Sequence, residues 1–481
     1  MRMLNELETS SPLHADDRSS DHLPNISSPF FLSARESALI PRPLRVRDRR
    51  RLFFWSLWTM VGVALAIRLV VMGFVFNLQL NPARDHFDFG YETGRIARSI
   101  ATGQGFSSPY PEPSGPTALV TPVYPYLLAG VFKLFGVYST ASAFVILTLN
   151  NLFSALTCVP VFLIARKVFR FRVAVIAGWT WAFFPYAIGL SNLWVWETSL
   201  TTLLLTWLVW ATLHLEQSRR LTAWLGYGLL WGLAGLTNPS VLSTLPLLGA
   251  WLWYRQRRLG TARSGPVLAS ALVFLALVGL WLARDFRAIG QFTLLRSNFA
   301  LEFQVGNNDD ASSPGSDRLL PADNPLEMEK IRRMGEAAYM VEKQQQVREF
   351  LTRHPGRFAW LTLRRILFVW TNVWSLHPSW RLDEDTGVPN ILVYSFLSFL
   401  AFFGLYRAIW NGRQYAIPLA AVLLCFPLVY YVTHPDVRYR HPIDPEIAVL
   451  AVYGAVSLRS AKKAPALERE AVPAREESLV T

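Results

Sequence analysis

Between positions 53 and 459 the chain passes through twelve long apolar runs: near 53–76, 120–137, 140–164, 172–190, 195–214, 221–237, 239–254, 266–284, 357–376, 390–408, 415–433 and 444–459. A run of about 20 apolar residues forms a helix long enough to cross a hydrocarbon core of roughly 30 Å, and runs of this kind are the mark of membrane spans. Charged residues make up only 17% of the 481, against about 25% in soluble domains. This argues against a water-soluble enzyme and for a polytopic membrane protein. The two cysteines, Cys158 and Cys425, both lie inside apolar runs and imply no disulfide framework. A net charge of +13 would fit nucleic acid only if the basic residues shared a folded face. They instead stand in short clusters between the runs, so no nucleic-acid partner is expected.

Those clusters test the count of spans, because loops rich in Lys and Arg stay in the cytoplasm. If all twelve runs crossed, the loops holding Arg166, Lys167, Arg170 and Arg172, and Arg255, Arg257, Arg258 and Arg263, would face outward. Two runs are poor spans on their own terms. The segment 122–137 is short, follows Pro-rich sequence and carries Lys133. The segment 357–376 has Arg364 and Arg365 at its middle, each costing about 2.5–3.5 kcal/mol at the bilayer centre on insertion scales. Reading both as interfacial helices leaves ten spans, puts every basic cluster inside, and places both termini in the cytoplasm. Residues 1–52 then form a polar, basic-ended cytoplasmic tail, 53–460 the membrane domain and 461–481 a second tail. The segments 77–139, 285–389 and 434–443 face outward.

With spans this apolar, chemistry has to come from polar residues at the outer ends. The first outer segment holds Asp85, Asp88 and Glu92, the last two spaced to share one helix face. They read either as acids favoured by a helix N-terminus or as a carboxylate site for general-base work or a metal. Glu197, between Trp196 and a new span, reads either as a helix cap or as a second carboxylate facing the first. The last outer turn, THPDVRYRHPIDP, offers Arg438, Tyr439 and Arg440 between His434 and His441. Guanidinium groups there either anchor the span to headgroups or bind phosphate through paired donors. Arg68, inside the first span, is expected to snorkel outward or pair with a carboxylate. Arg284, Asp285 and Arg287 follow the seventh span, and His377 the second interfacial helix. No P-loop, H-E-x-x-H or cysteine cluster supports an ATPase or a zinc protease.

In order along the chain stand FGYETGRIARSIATGQGFS, TPVYPYLLAGVFKLFG, GLLWGLAGLTNPSVL, LWLARDFRAIGQF with FQVGNN, and RYRHPIDP. Together they resemble the family 39-type GT-C glycosyltransferases. That group includes protein O-mannosyltransferases, the lipid A aminoarabinose transferase and rhizobial lipopolysaccharide sugar transferases. The resemblance covers about 53–460. It implies a GT-C-type bundle of about ten transmembrane helices with juxtamembrane helices on the outer face. It also implies transfer of a sugar from a polyprenyl-phosphate donor to an envelope glycan, lipid or protein on the periplasmic side of a bacterial-type inner membrane. Glu92 or Asp88 would then be the base and Glu197 would position the acceptor or assist a divalent metal. Arg438, Tyr439, Arg440, Arg284 and Arg68 would serve the substrate. The sequence departs from the family where an adjacent acidic pair is expected, since Phe89, Gly90 and Tyr91 separate Asp88 from Glu92, and where Asp285 replaces the usual Asn. The rival readings are a lipid-linked glycan flippase and an O-antigen polymerase or ligase.

Overall fold

The computed structural model describes residues 46–79, 89–311, 319–374 and 388–461. Residues 53–481 form one compact unit; of the unit before it, 1–52, only the first turns of α1 are described. Among the described residues the fold is entirely helical apart from one isolated bridge, Ser107 to Pro116. The helices are α1 (Val46–Gln79), α2 (Tyr91–Ala101), α3 (Val123–Phe135), α4 (Thr140–Leu156), α5 (Cys158–Val168), α6 (Phe171–Ala182), α7 (Pro185–Leu193), α8 (Thr198–Leu215), α9 (Leu221–Gly235) and α10 (Leu245–Arg258). There follow α11 (Ser264–Ile289), α12 (Phe299–Gly306), α13 (Pro325–Arg353), α14 (Pro355–Thr371), α15 (Val388–Trp410), α16 (Ile417–Cys425), α17 (Leu428–Val432), α18 (Val437–Arg440) and α19 (Asp444–Ala461).

Among the described residues seven stretches are long and apolar enough to cross a membrane: Ser56–Val75, Thr140–Val168, Phe171–Leu193, Thr198–Leu215, Ser264–Ile289, Asn390–Trp410 and Gln414–Val432. The chain is therefore an α-helical, multi-pass membrane protein. The expected count of about ten is not established, and the three remaining runs show why. α9 has only 15 residues, and Asn238-Pro239 opens a short 3-10 turn before α10, which ends on Arg255, Arg257 and Arg258. α19 begins with Asp444 and Glu446, both buried. The two runs read as interfacial are separate short helices, α3 and α14. α14 buries Leu361, Arg365, Phe368 and Val369 along one stripe and exposes Trp360 and Leu363 on the other, the two-faced character expected of a helix lying at an interface.

Helices in lipid pack through small residues that let backbones approach. α15 and α19 meet in this way at Gly404 and Gly454, where a methyl group on either would overlap the facing carbonyl of Leu450 or Leu400. A different device organises the first half of the bundle. α6 stops at Ala182 and α7 restarts on Pro185, whose ring nitrogen has no hydrogen to give the carbonyl four residues back. Arg68 of α1 supplies the missing donors. Its guanidinium reaches the Ala182 carbonyl at 3.0 Å, the Trp181 carbonyl at 3.3 Å and the Ser154 hydroxyl of α4 at 2.9 Å. Its own-helix Ala64 carbonyl takes a further bond at 3.0 Å. The Trp181 indole closes the circuit by donating to the Ser154 carbonyl at 2.8 Å. Arg68 is fully buried, so it neither snorkels nor faces a carboxylate, and its expected substrate role is corrected: helix-break carbonyls consume its donors.

Replacing Arg68 with Leu strands the Ala182 carbonyl and leaves the Trp181 carbonyl with only the Phe184 backbone N–H at 3.2 Å, at about 1–3 kcal/mol for each buried group left unsatisfied. Arg68→Leu should unfold several degrees below the parent protein in detergent, measured by thermal denaturation, and Arg68→Lys, with one nitrogen in place of the fork, should recover little of that loss.

Candidate functional site

Three separated pieces of chain build one polar site. The first is the start of α2. Gly90 adopts φ 85°, and its missing side chain lets the turn approach the Val195 carbonyl, which a Cβ would meet at 3.0 Å. Tyr91 follows at φ 45°, also left-handed, and its ring stacks on Trp196 at 5.2 Å. This turn packs the start of α2, where Glu92 stands, against the α7–α8 connection. The second piece is that connection, Trp194 to Glu197. Glu197 occupies the N-cap position of α8, yet its side chain makes no cap hydrogen bond, so the reading of it as a simple cap fails. The third is the last outer turn, where the Asp436 carboxylate accepts from the Arg438 backbone N–H at 2.9 Å and caps α18.

Arg438 is the centre of this arrangement. Its guanidinium lies 4.4 Å from the Trp196 ring, 5.1 Å from Trp194 and 5.1 Å from Tyr439. Its Nε faces Asp436 Oδ2 at 3.2 Å. Burial works against its charge, but Asp436, Tyr439 and Glu197 outweigh that and push its pKa above the ordinary arginine value. Arg438 is thus a permanent cation boxed by aromatic rings. Burial also raises the Glu92 carboxyl above the usual carboxylate range; its own backbone N–H and Arg95 oppose the rise, Glu302 adds to it, and Arg438 counters it. Tyr439 extends the site: its hydroxyl meets His434 Nε2 at 3.1 Å, and the other ring nitrogen of His434 faces the Glu302 carboxylate at 3.7 Å.

Around this cation several buried polar atoms have no protein partner. Glu197 Oε2 and the Trp196 indole N–H are among them. Buried polar groups are otherwise almost always bonded, so donors and acceptors left open together describe a site awaiting a polar ligand. Beside Arg438 lies a cavity of about 170 Å³ walled by Pro185, Tyr186, Leu190 and Leu193 of α7 and by Trp194. One end of this space is charged and the rest is largely hydrocarbon.

Of the residues expected from sequence, Glu92, Glu197, Arg438 and Tyr439 come together. Asp88, like Asp85 and His377, lies outside the described residues. Arg440 turns the other way from Arg438: its Nε donates to Asp444 at 2.9 Å, a terminal nitrogen donates to Ser398 Oγ at 3.1 Å, and the Tyr394 ring lies 4.0 Å away. His441 shares Asp444 with it at 3.1 Å. Two residues apart on one turn of helix, the arginines cannot face the same side. Arg284 is likewise engaged, donating to the Phe106 carbonyl at 2.7 Å, to the Thr117 carbonyl and to Asp285 at 2.9 Å. Both arginines thus make contacts that hold the fold, and one terminal nitrogen of Arg440, buried, has no hydrogen-bond partner. Glu302 and Asp436 were not foreseen; Glu302 stands alone as an acid in the apolar stretch FALEFQVG, a signal that was available. Among the described residues no group of three or more His, Cys, Asp or Glu side chains is placed to hold a metal ion.

A family model described as dolichyl-phosphate-mannose-protein mannosyltransferase matches residues 117–282. This agrees with the resemblance read from the sequence. No protein of curated function matches the chain. Similar solved structures include the oligosaccharyltransferase of Archaeoglobus fulgidus in the apo form, at 16% identity and a TM-score of 0.49, covering 88% of this chain and 52% of that one. The archaeal oligosaccharyltransferase AglB from the same organism, in complex with an inhibitory peptide and a dolichol-phosphate, gives 17% identity, a TM-score of 0.48 and the same coverage. ArnT from Cupriavidus metallidurans bound to undecaprenyl phosphate gives 14% identity and a TM-score of 0.37, covering 86% of this chain and 80% of that one. The chain spans about half the length of the oligosaccharyltransferases it matches.

Thr117, where the family match begins, is also where the first outer loop is pinned. Glu336 of α13 accepts from the Thr117 hydroxyl, from the Ala118 backbone N–H at 2.9 Å and from the Ser297 hydroxyl at 2.6 Å. Removing this buried acceptor strands three donors, at about 1–3 kcal/mol for each one left without a partner. Glu336→Ala should therefore open the loop over residues 104–119, read as faster limited proteolysis there, while cleavage between α9 and α10 stays at the parent rate.

Proposed function

We propose that the chain is an integral-membrane glycosyltransferase that moves a sugar from a polyprenyl-phosphate donor to an acceptor hydroxyl or amine of an envelope glycan, lipid or protein. The observation that carries this reading is the boxed, permanently charged Arg438 standing between unpartnered polar atoms and a cavity with apolar walls. A lipid phosphate ester needs both surfaces: a cation for the head and hydrocarbon for the tail. The matched family description, which names a dolichyl-phosphate sugar as donor, supports the same assignment.

In the proposed reaction the acceptor oxygen or nitrogen attacks the anomeric carbon as the bond from that carbon to the donor's phosphate oxygen breaks. The bonding electron pair leaves with the phosphate, and the acceptor proton passes to the Glu92 carboxylate. Arg438 stabilises the charge that grows on the departing phosphate, and it does so in surroundings that screen charge weakly. Tyr439 holds Arg438 from below, and Glu197, with one oxygen unbonded, orients the acceptor. Asp88 shares the outer segment with Glu92 as the second candidate base.

We place this site on the outer, periplasmic side of the inner membrane, with both termini in the cytoplasm. The arrangement of α8 supports that orientation. Its 18 residues span about 27 Å, with Glu197 at one end and Glu216 at the other. Around Glu216 the basic clusters converge: Lys167 and Arg255 each reach it at 3.0 Å. The basic end is the cytoplasmic one.

The deciding assay supplies the purified chain with polyprenyl-phosphate sugars and an envelope extract as acceptor, and follows release of free polyprenyl phosphate. Absence of release with every donor would remove the reading. Glu92→Gln should lower kcat by about a hundredfold or more, in the range of a general base, with helix content and insertion unchanged. Because the base must be ionised and burial raises its pKa, the rate should climb with pH through a limb above the ordinary glutamate value of about 4.3. An acid limb at or below that value would remove Glu92 from the role. Arg438→Ala should raise the donor KM by roughly ten- to a hundredfold, the worth of a charge-assisted hydrogen bond.

A further inference from the structure

We propose that Glu302 is a positioning residue: acting through His434 and Tyr439, it fixes the Arg438 guanidinium in place without touching substrate. The inference rests on the reading of Arg438 as the group that holds the donor phosphate. It assigns to that site a controlling residue from a different part of the chain.

The contacts form one line across three elements. Glu302 lies on α12, His434 in the connection after α17, and Tyr439 and Arg438 on α18. Glu302 Oε2 stands 3.7 Å from His434 Nδ1, His434 Nε2 lies 3.1 Å from the Tyr439 hydroxyl, and that hydroxyl lies 3.5 Å from an Arg438 terminal nitrogen. The chemistry of the four groups gives the line a direction. Arginine only donates and a carboxylate only accepts, whereas tyrosine and neutral histidine do both. With the carboxylate facing Nδ1, the order is Arg438 donating to Tyr439, Tyr439 donating to His434 Nε2, and His434 Nδ1–H pointing at Glu302. The carboxylate therefore selects the histidine tautomer, and the tautomer decides which way the tyrosine proton points.

Neighbouring groups hold each member in register. The Tyr439 ring stacks on Tyr430 at 4.4 Å and 13°, which fixes the plane of its hydroxyl. Asn298 donates to the other Glu302 oxygen at 2.8 Å, which aims the carboxylate. His434 Nδ1 is buried and has no hydrogen-bond partner of its own, so the acid opposite is the group it answers to. If Glu302 is neutralised, Nδ1 no longer faces an anion, the proton is free to sit on Nε2, and Tyr439 loses the acceptor that fixed its hydroxyl, which then no longer presents one set lone pair to Arg438. The guanidinium then loses its support on that side and leaves the face of Trp196.

A double-mutant cycle on the full-length protein in detergent tests this, with a polyprenyl phosphate as the probe and its Kd as the readout. Glu302→Gln should weaken binding about tenfold in the parent chain and change nothing in the Arg438→Ala background. Equal losses in both backgrounds, or no loss in the parent, would overturn the proposal. A second measurement needs no lipid: phenylglyoxal labelling of Arg438, followed by peptide mass spectrometry. Labelling should speed up severalfold in Glu302→Gln and in Tyr439→Phe at unchanged thermal stability. An unchanged rate in both variants would overturn the relay even where the lipid phosphate binds. A parent chain that binds no polyprenyl phosphate would instead overturn the donor reading, and the labelling rates would still decide the relay.

Discussion

A dry interior cannot leave backbone carbonyls unpaired, and the whole loop-bearing half of this molecule follows from how that demand is met at one place. Pro185 breaks the helix that would otherwise run unbroken from Phe171 to Leu193, and the break aims α7 so that its end delivers Trp194, Val195, Trp196 and Glu197 to the site. Such a break is tolerable in a bilayer only where another group re-satisfies the freed carbonyls. Arg68 is that group. An ionisable residue within a span is ordinarily taken as a functional marker. Here its work is architectural, and the catalytic geometry depends on it at one remove.

The site itself depends on keeping a cation charged without water. Three aromatic faces around Arg438 give it an attractive surface that costs no counter-charge. Asp436, the anion in direct contact with it, is spent partly on capping α18. A guanidinium held in this manner keeps donors available for a ligand, which a guanidinium locked in a bidentate pair does not. Arg440 shows the contrast two residues later, with its Nε committed to Asp444 and one terminal nitrogen to Ser398, and with its other terminal nitrogen buried without a hydrogen-bond partner.

The sequence made the helical membrane architecture legible because span length and apolarity are one-dimensional properties. The two short helices α3 and α14 were legible as weak spans for the same reason, through Lys133 and the Arg364–Arg365 pair. Glu92, Glu197, Arg438 and Tyr439 could be found because polar residues are scarce at the span ends. The arginines are not separable from sequence. Arg68, Arg284 and Arg440 carry the same charge as Arg438, and only the fold reveals that backbone carbonyls or a buried aspartate already occupy them. Glu302 and Glu336 lie far in sequence from what they touch, at His434 and at Thr117, and no local pattern announces a partner at that separation. The number of spans stayed open because three of the expected ones are short, kinked or charged, and hydropathy alone does not weigh these defects against burial.

The knot at the basic end of α8 bears on how this protein meets membranes of different thickness. Glu216 ties the end of that helix to Lys167, Arg255 and Tyr415, on three other segments, while the Trp194–Glu197 segment leads into its far end. A helix tethered in this way cannot slide along the bilayer normal by itself. Hydrophobic mismatch is then taken up by tilting the bundle as a body or by deforming the lipid. The distance between the Glu216 knot and the Trp194–Glu197 segment is thereby set by the length of one helix, a distance written into the chain and not chosen by the surrounding lipid.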